Sequence, residues 1–244
     1  MRMANQPSDG ASGVGGAAKR RLIVRWILDQ TMRLAGGTAV LFLCAGRIDW
    51  GAGWAYQALT LSYVVGTAAV LIPGNLELLA ERLSPRKGAK NWDMLIMSIV
   101  GLGLTALYVV GGLDQRHGWS MGIAPAGQIA AGVVMGLGHA LAVWATAANR
   151  FFSLIVRIQV ERGHVVATAG PYRWVRHPAY VGAILAYLAG PILLGSWWAL
   201  LPGGLSALLM VIRTALEDRT LLRELAGYPV YASQVRRRLV PGVW

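Results

Sequence analysis

The sequence predicts an all-α integral membrane protein with about four transmembrane helices, a C-terminal helical hairpin and a cytosolic cap. Of the 244 residues, 55% are hydrophobic and only 14% are charged, whereas a soluble domain carries about 25% charged residues. Long uncharged segments recur along the chain, and one crossing of a bilayer needs roughly 20 apolar residues. The basic residues are concentrated in alternate connections between these segments. Together these three observations indicate a polytopic membrane protein.

The N-terminal part of the chain predicts a tail followed by four membrane spans. Residues 1–18 are rich in Gly, Ala and Ser and lack apolar periodicity, which is typical of disorder. The predicted spans within residues 19–148 are 26–46, 54–72, 94–113 and 125–148. The first of them carries charges in its opening turns, and the other three are uncharged.

Residues 149–244 form the region in which we expect the chemistry. No charged residue occurs between positions 179 and 212, a segment that would be roughly 50 Å long as one helix and therefore too long for one crossing. Pro191, Gly195 and Pro202 interrupt it. The sequence therefore predicts a hairpin of two short helices, 179–194 and 197–218. We further expect an interfacial helix at 151–161 and a cytosolic cap at 219–244.

The charge distribution predicts an orientation. Of the 23 Lys and Arg residues, 21 precede the first span, lie in its opening turns (Arg33) or lie in 73–93, 149–178 and 213–244, and only Arg47 and Arg116 lie elsewhere. Basic residues favour the cytosolic side, so we expect both termini in the cytosol. The net charge of +12 then reflects topology and anionic headgroups, and no nucleic-acid partner is expected. The single cysteine, Cys44, excludes an internal disulfide and a Cys-based zinc site, and no metal is expected.

The first candidate cluster begins the hairpin. Arg176 and His177 precede Pro178 and Tyr180, and Pro is well suited to the first turn of a helix. His177 is therefore expected at the N-terminal cap of the first hairpin helix. The cluster could bind an anionic or zwitterionic ligand at the helix N-terminus. It could equally anchor the chain at the membrane interface.

The second candidate cluster ends the hairpin. Arg213 and Glu217 are four residues apart and share a helix face, and Asp218 follows them. They could form a simple helix salt bridge, or Glu217 could bind ligand hydroxyls or a cation while Arg213 holds a carboxylate. Because a hairpin returns the chain to its starting level, we expect this cluster to line one pocket with residues 176–180.

These motifs carry a family resemblance. The pattern Gly170-Pro-Tyr-Arg-x-x-Arg-His-Pro-x-Tyr-x-Gly182 precedes the hairpin, and Arg213-x-x-x-Glu-Asp218 and Tyr228-x-x-Tyr231 follow. The combination, over about residues 149–241, resembles the isoprenylcysteine carboxyl methyltransferase family, whose wider group includes phospholipid N-methyltransferases. The chain looks like a bacterial member, which implies a location in the bacterial inner membrane.

The resemblance implies a helical membrane core with a cytosolic pocket for S-adenosylmethionine and a lateral opening to lipid. It implies that one group of residues contacts or shapes the cofactor site: Tyr172, His177, Pro178, Tyr180, Glu217 and Asp218. It implies catalytic roles for Arg176, Arg213 and Glu217. The family pattern has a second Glu where this chain has Asp218, which leaves open whether Asp218 contacts the cofactor.

The expected function is S-adenosylmethionine-dependent carboxyl O-methylation of an isoprenylcysteine-like or other lipophilic acceptor, entering from the bilayer between the hairpin and the fourth span. The alternatives are methylation of a small thiol or a phospholipid amine, and a non-catalytic membrane scaffold. Membrane lipid and a lipophilic small molecule are the expected partners. The acceptor's identity and the oligomeric state stay open at this stage.

Overall fold

The computed structural model describes residues 16–83, 88–120, 122–240 and 244, and every regular element in them is helical. The α-helices are α1 (Gly16–Ala45), α2 (Gly51–Gly74), α3 (Leu76–Leu83), α4 (Asn91–His117), α5 (Pro125–Ala148), α6 (Pro178–Leu193), α7 (Leu200–Glu224) and α8 (Tyr228–Gln234). Two short 3-10 helices, Val160–Arg162 and Gly170–Arg173, lie between α5 and α6.

Four of these helices, α2, α4, α5 and α7, are long and apolar enough to cross a membrane. The predicted all-α membrane fold is therefore confirmed, although the helices that meet the criterion differ from the expected ones. Helix α1, which contains almost all of the predicted first span, is not among them, since charged residues such as Arg25, Asp29 and Arg33 occupy its N-terminal and middle turns. Helix α7 replaces it, because the second hairpin helix has 25 residues rather than being short.

Two local predictions differ from the structure. Helix α1 begins at Gly16, so residues 16–18 are helical rather than disordered, and the rest of the predicted tail lies outside the described residues. The predicted interfacial helix at 151–161 is wrong. The backbone there is irregular up to the 3-10 turn at Val160, because tertiary hydrogen bonds hold it. The Val156 N–H donates to Asp93 Oδ2 at 2.7 Å, and Gln159 Nε2 donates to the Phe151 carbonyl at 2.7 Å.

Helix α3, within the predicted loop 73–93, braces this irregular segment. Arg157 forms a two-point ion pair with Glu81, with distances of 2.8 and 2.7 Å. Arg162 reaches Glu77 at 3.2 Å. The short helix, which hydropathy did not reveal, thus fixes the loop between α5 and α6 from one side.

The predicted hairpin is present as α6 and α7. Gly195, with a φ of +78° that favours glycine, lies in the turn. Asp114 at the end of α4 anchors this turn, since its carboxylate accepts hydrogen bonds from the Ser196 and Ser120 hydroxyls and from the Ser120 N–H. The last turns of α7 consequently lie beside the first turn of α6. We call this end of the bundle, with residues 75–83, 88–90, 149–177 and 213–240, the basic end.

Helices α5 and α6 pack more closely than any other pair of described helices. A Cβ atom on Gly182 would lie 2.3 Å from the Gly138 carbonyl oxygen, and one on Gly138 would lie 2.6 Å from the Gly182 carbonyl oxygen. Backbone meets backbone at this crossing. Because this contact leaves no gap at the crossing itself, an acceptor would not pass at that point; its entry between the hairpin and the fourth span stays a prediction.

Candidate functional site

A pocket opens at the basic end between α6, α7, α8 and the segment that joins α5 to α6. It encloses about 690 Å³, its open mouth included. Aromatic side chains form much of its wall: Phe151, Phe152, Tyr172, Tyr180, Tyr228 and Tyr231. The hairpin therefore does bring the two clusters of the sequence together.

Five of the sequence-predicted residues line this pocket: Tyr172, Arg176, His177, Tyr180 and Glu217. The other three, Pro178, Arg213 and Asp218, are absent from its lining and lie behind it. Pro178 is the first residue of α6, with His177 as the N-terminal cap residue, as predicted.

Tyr180 and Glu217 form the centre of the lining. The Tyr180 hydroxyl donates a hydrogen bond to Glu217 Oε2. The His177 ring stacks on the Tyr180 ring, with centroids 5.6 Å apart and planes 12° apart. The guanidinium carbon of Arg213 lies 5.0 Å from the centre of the Tyr180 ring, within the range of a cation–π interaction. Of the described residues that line the pocket, Glu217 alone carries a carboxylate.

Asp218 is a fully buried acceptor that organises the wall. Arg176 approaches it through Nε and Nη2 at 2.8 and 2.9 Å, and Arg238 Nε and the Tyr228 hydroxyl each donate at 2.8 Å. His177 Nε2 lies 3.4 Å away. Burial and the neighbouring Asp218 charge raise the pKa of Tyr228 well above its usual value, so the phenol stays protonated and keeps donating. The carboxylate is saturated by these donors.

Arg213 belongs to a second buried ion pair. Its Nε donates to Asp93 Oδ1 at 2.7 Å, and its Nη2 donates to the Leu154 carbonyl at 2.9 Å. Because Asp93 also accepts the Val156 N–H, this pair ties α4, α7 and the irregular loop together. The helix salt bridge between Arg213 and Glu217, one of the two sequence interpretations, does not form. Arg213 does hold a carboxylate, but it is that of Asp93.

The C-terminal segment, residues 235–238, holds the start of α6 through backbone hydrogen bonds. The Arg176 N–H donates to the Arg237 carbonyl at 2.9 Å, and the His177 N–H donates to the Arg238 carbonyl at 3.0 Å. Arg176 Nη1 also donates to the Val235 carbonyl at 2.9 Å. The segment expected to be a cap is therefore part of the site's framework.

Sequence reasoning missed Asp93 and Arg238. Asp93 directly precedes the predicted span 94–113, and an acidic residue at the end of an uncharged segment is itself a signal of a buried partner. Arg238 lies in a run of three arginines, and nothing local distinguishes the one that reaches Asp218. Within the described ranges, no group of His, Cys, Asp and Glu has a geometry that could hold a metal ion.

Residues 130–223 match the model of the isoprenylcysteine carboxyl methyltransferase (ICMT) family. The match covers α5, the loop, α6 and α7, and therefore most of the pocket wall. No curated protein matches the chain. The family match over residues 130–223 and the four apolar helices together favour a membrane methyltransferase.

Proposed function

Since residues 130–223 form a segment of the ICMT family, we propose that the pocket binds S-adenosylmethionine and that the protein methylates the carboxylate of a lipophilic acceptor. The observation that carries the proposal is the juxtaposition of Tyr180 and Glu217 inside the matched segment. Under this proposal the basic end faces the cytosol.

The lining of the pocket suits this cofactor in its chemistry. A carboxylate and the faces of several tyrosines are the groups that attract a cation such as a sulfonium. Arg176 and Arg213 are neutralised by Asp218 and Asp93. Their positive charges therefore do not repel a bound sulfonium.

Under this proposal, some of the predicted site residues would contact the cofactor, and the others would hold those residues in position. When bound, the cofactor supplies a methyl group on a cationic sulfur, and its transfer to an acceptor lone pair leaves the electrons of the broken C–S bond on sulfur. Glu217, Tyr180, His177 and Tyr172 would contact and orient the cofactor, since they line the pocket. The remaining predicted residues, Arg176, Pro178, Arg213 and Asp218, would act through them as positioning residues.

One observation favours the second candidate, methylation of a thiol or an amine, which needs a base to remove a proton. His164 lines the pocket. Burial and the nearby Arg162 and Arg157 lower its pKa, so the imidazole is neutral near pH 7; its Nδ1, which accepts the Gln159 N–H at 3.3 Å, would have to exchange that contact for a substrate proton. A carboxylate acceptor needs no such base.

Calorimetry on the purified protein tests the cofactor site. Glu217→Gln should weaken S-adenosylmethionine binding at least tenfold, since hydrogen bonds and contacts to charged groups contribute about 1.5–3 kcal/mol. The same variant should weaken binding of S-adenosylhomocysteine less, because that product has no sulfonium charge. Glu224→Gln, on the same helix and paired with Lys90 outside the pocket, is the matched control. Unchanged affinity of Glu217→Gln for both ligands would remove the proposed site.

Transfer of an isotopically labelled methyl group separates the two candidate functions. A carboxyl methyl ester is released by mild base, whereas S-methyl and N-methyl products are stable. We expect a base-labile product with an S-prenylcysteine acceptor, and a base-stable product that disappears in His164→Gln would establish the alternative.

A further inference from the structure

Arg82 on α3 is a partly buried cation without a counter-ion among the described residues. Its Nε is buried and has no hydrogen-bond partner in the part of the chain that the structure describes. Its one hydrogen bond to a side chain is long, from Nη2 to the Thr146 hydroxyl at 3.4 Å. A guanidinium carries five N–H donors, so most of its binding capacity is unused.

The other buried arginines of the basic end show that this is unusual here. Arg176 is paired with Asp218, Arg213 with Asp93, and Arg157 with Glu81. In each case the carboxylate lies within 2.8 Å of a guanidinium nitrogen. A buried charge without a partner is costly, and such features are expected where a ligand completes the pair.

The surroundings of Arg82 place it beside the pocket, behind Phe152. Its guanidinium carbon lies 5.5 Å from the centre of the Phe152 ring, and Phe152 lines the pocket. Burial lowers the pKa of Arg82, while the phenols of Tyr63 and Tyr172 lie near enough to act in the opposite direction. Tyr172 belongs to the pocket wall and Tyr63 to α2. Arg82 thus stands where the pocket meets the junction of α2 and α5.

We propose that Arg82 binds the oxyanion head of the methyl acceptor, beside the pocket wall that Phe152 forms. The chemical class is an amphiphile with a carboxylate or phosphate head, because a guanidinium fork matches both. The proposal rests on the proposed methyltransferase function for its site. Arg82 is a specificity residue that lies outside the family match.

Binding measurements on the purified full chain in neutral detergent test this assignment. The probes are N-acetyl-S-farnesylcysteine, its uncharged carboxamide, and farnesyl phosphate. The wild-type protein should bind at least one of the two oxyanions at least tenfold more tightly than the carboxamide, and the tighter one identifies the head group. In Arg82→Met this preference should vanish, while S-adenosylmethionine affinity stays at the wild-type value. Arg150→Met is the control, since Arg150 is an exposed arginine at the same end.

Thermal stability without ligand distinguishes a ligand anchor from a structural residue. Removing an unpaired buried charge should leave the unfolding temperature of Arg82→Met equal to or above that of the wild type. If Arg82→Met does not fold, Arg82→Lys, which keeps the charge but loses the fork, should fold and bind the preferred oxyanion more weakly.

Three results would overturn the inference. They are wild-type oxyanion binding in Arg82→Met, wild-type oxyanion binding in Arg82→Lys where Arg82→Met does not fold, and no oxyanion preference in a wild-type protein that binds S-adenosylmethionine. An Arg82-dependent oxyanion preference without any S-adenosylmethionine binding would instead refute the proposed function and leave the anion site standing.

Discussion

The buried Asp218 network provides the sharpest test of how the pocket wall is held. Asp218→Asn keeps the shape of the side chain but removes the charge that neutralises Arg176 and Arg238. The new amide N–H₂ group would also face the N–H and O–H donors that surround Asp218. The guanidinium charges of Arg176 and Arg238 would therefore lose their counter-ion beside the pocket.

The expected loss in the free energy of unfolding depends on how exposed the two arginine partners of Asp218 are. Breaking a fully buried ion pair costs about 3–5 kcal/mol. Arg176 is 6% exposed, but Arg238 is 29% exposed, and water compensates part of its loss. We therefore expect the lower limit, about 3 kcal/mol, which corresponds to a decrease of about 6–12 °C in unfolding temperature for a chain of this size.

The assay is thermal unfolding in neutral detergent, followed through the fluorescence of the 10 tryptophans. Glu224→Gln is the control, since this carboxylate on the same helix is 43% exposed and pairs with Lys90 at 2.8 Å. An exposed pair contributes about 0–1 kcal/mol, so its shift should be small and should shrink further in salt. An Asp218→Asn protein that unfolds within about 2 °C of the wild type would refute the reasoning, since the principle requires a shift several times larger.

Two further predictions concern packing and pH. Gly182→Ala should lower stability by about 1–3 kcal/mol, because the new Cβ would lie 2.3 Å from the Gly138 carbonyl oxygen; Gly204→Ala, with nothing within 4 Å, should be neutral or stabilising in the same unfolding assay, and equal effects would contradict the contact. His164 has a pKa that burial and the nearby Arg162 and Arg157 lower in the folded state, so its contribution to stability is complete above pH 6.5 and is lost as the pH falls through the folded-state pKa. An NMR titration of labelled histidines should show this shift, and wild-type stability should fall more steeply than that of His164→Gln between about pH 6.5 and 5; parallel stability curves would disprove it.

Much of the site was predictable because two local patterns constrain it. Pro178 sets the start of α6 through its ring geometry, and the hairpin geometry then requires residues 176–180 and 213–218 to lie at one level. The structure has that arrangement, with Tyr180 hydrogen-bonded to Glu217. The pairing of the arginines was not predictable. The i, i+4 spacing favours Arg213 with Glu217, whereas the structure pairs Arg213 with Asp93, 120 residues earlier.

The sequence by itself determined the all-helical membrane fold, the separation of charge between the two ends and the meeting of the two hairpin clusters. These features depend on hydropathy, charge counts and turn residues, which are read from neighbouring positions along the chain. Only the tertiary structure decided which carboxylate neutralises which arginine, that Arg82 lacks a carboxylate partner among the described residues, and that the backbones of α5 and α6 meet at Gly138 and Gly182. The physical reason is that ion pairs and backbone contacts act over a few ångströms between residues far apart in sequence, and only the packed helices bring those residues together.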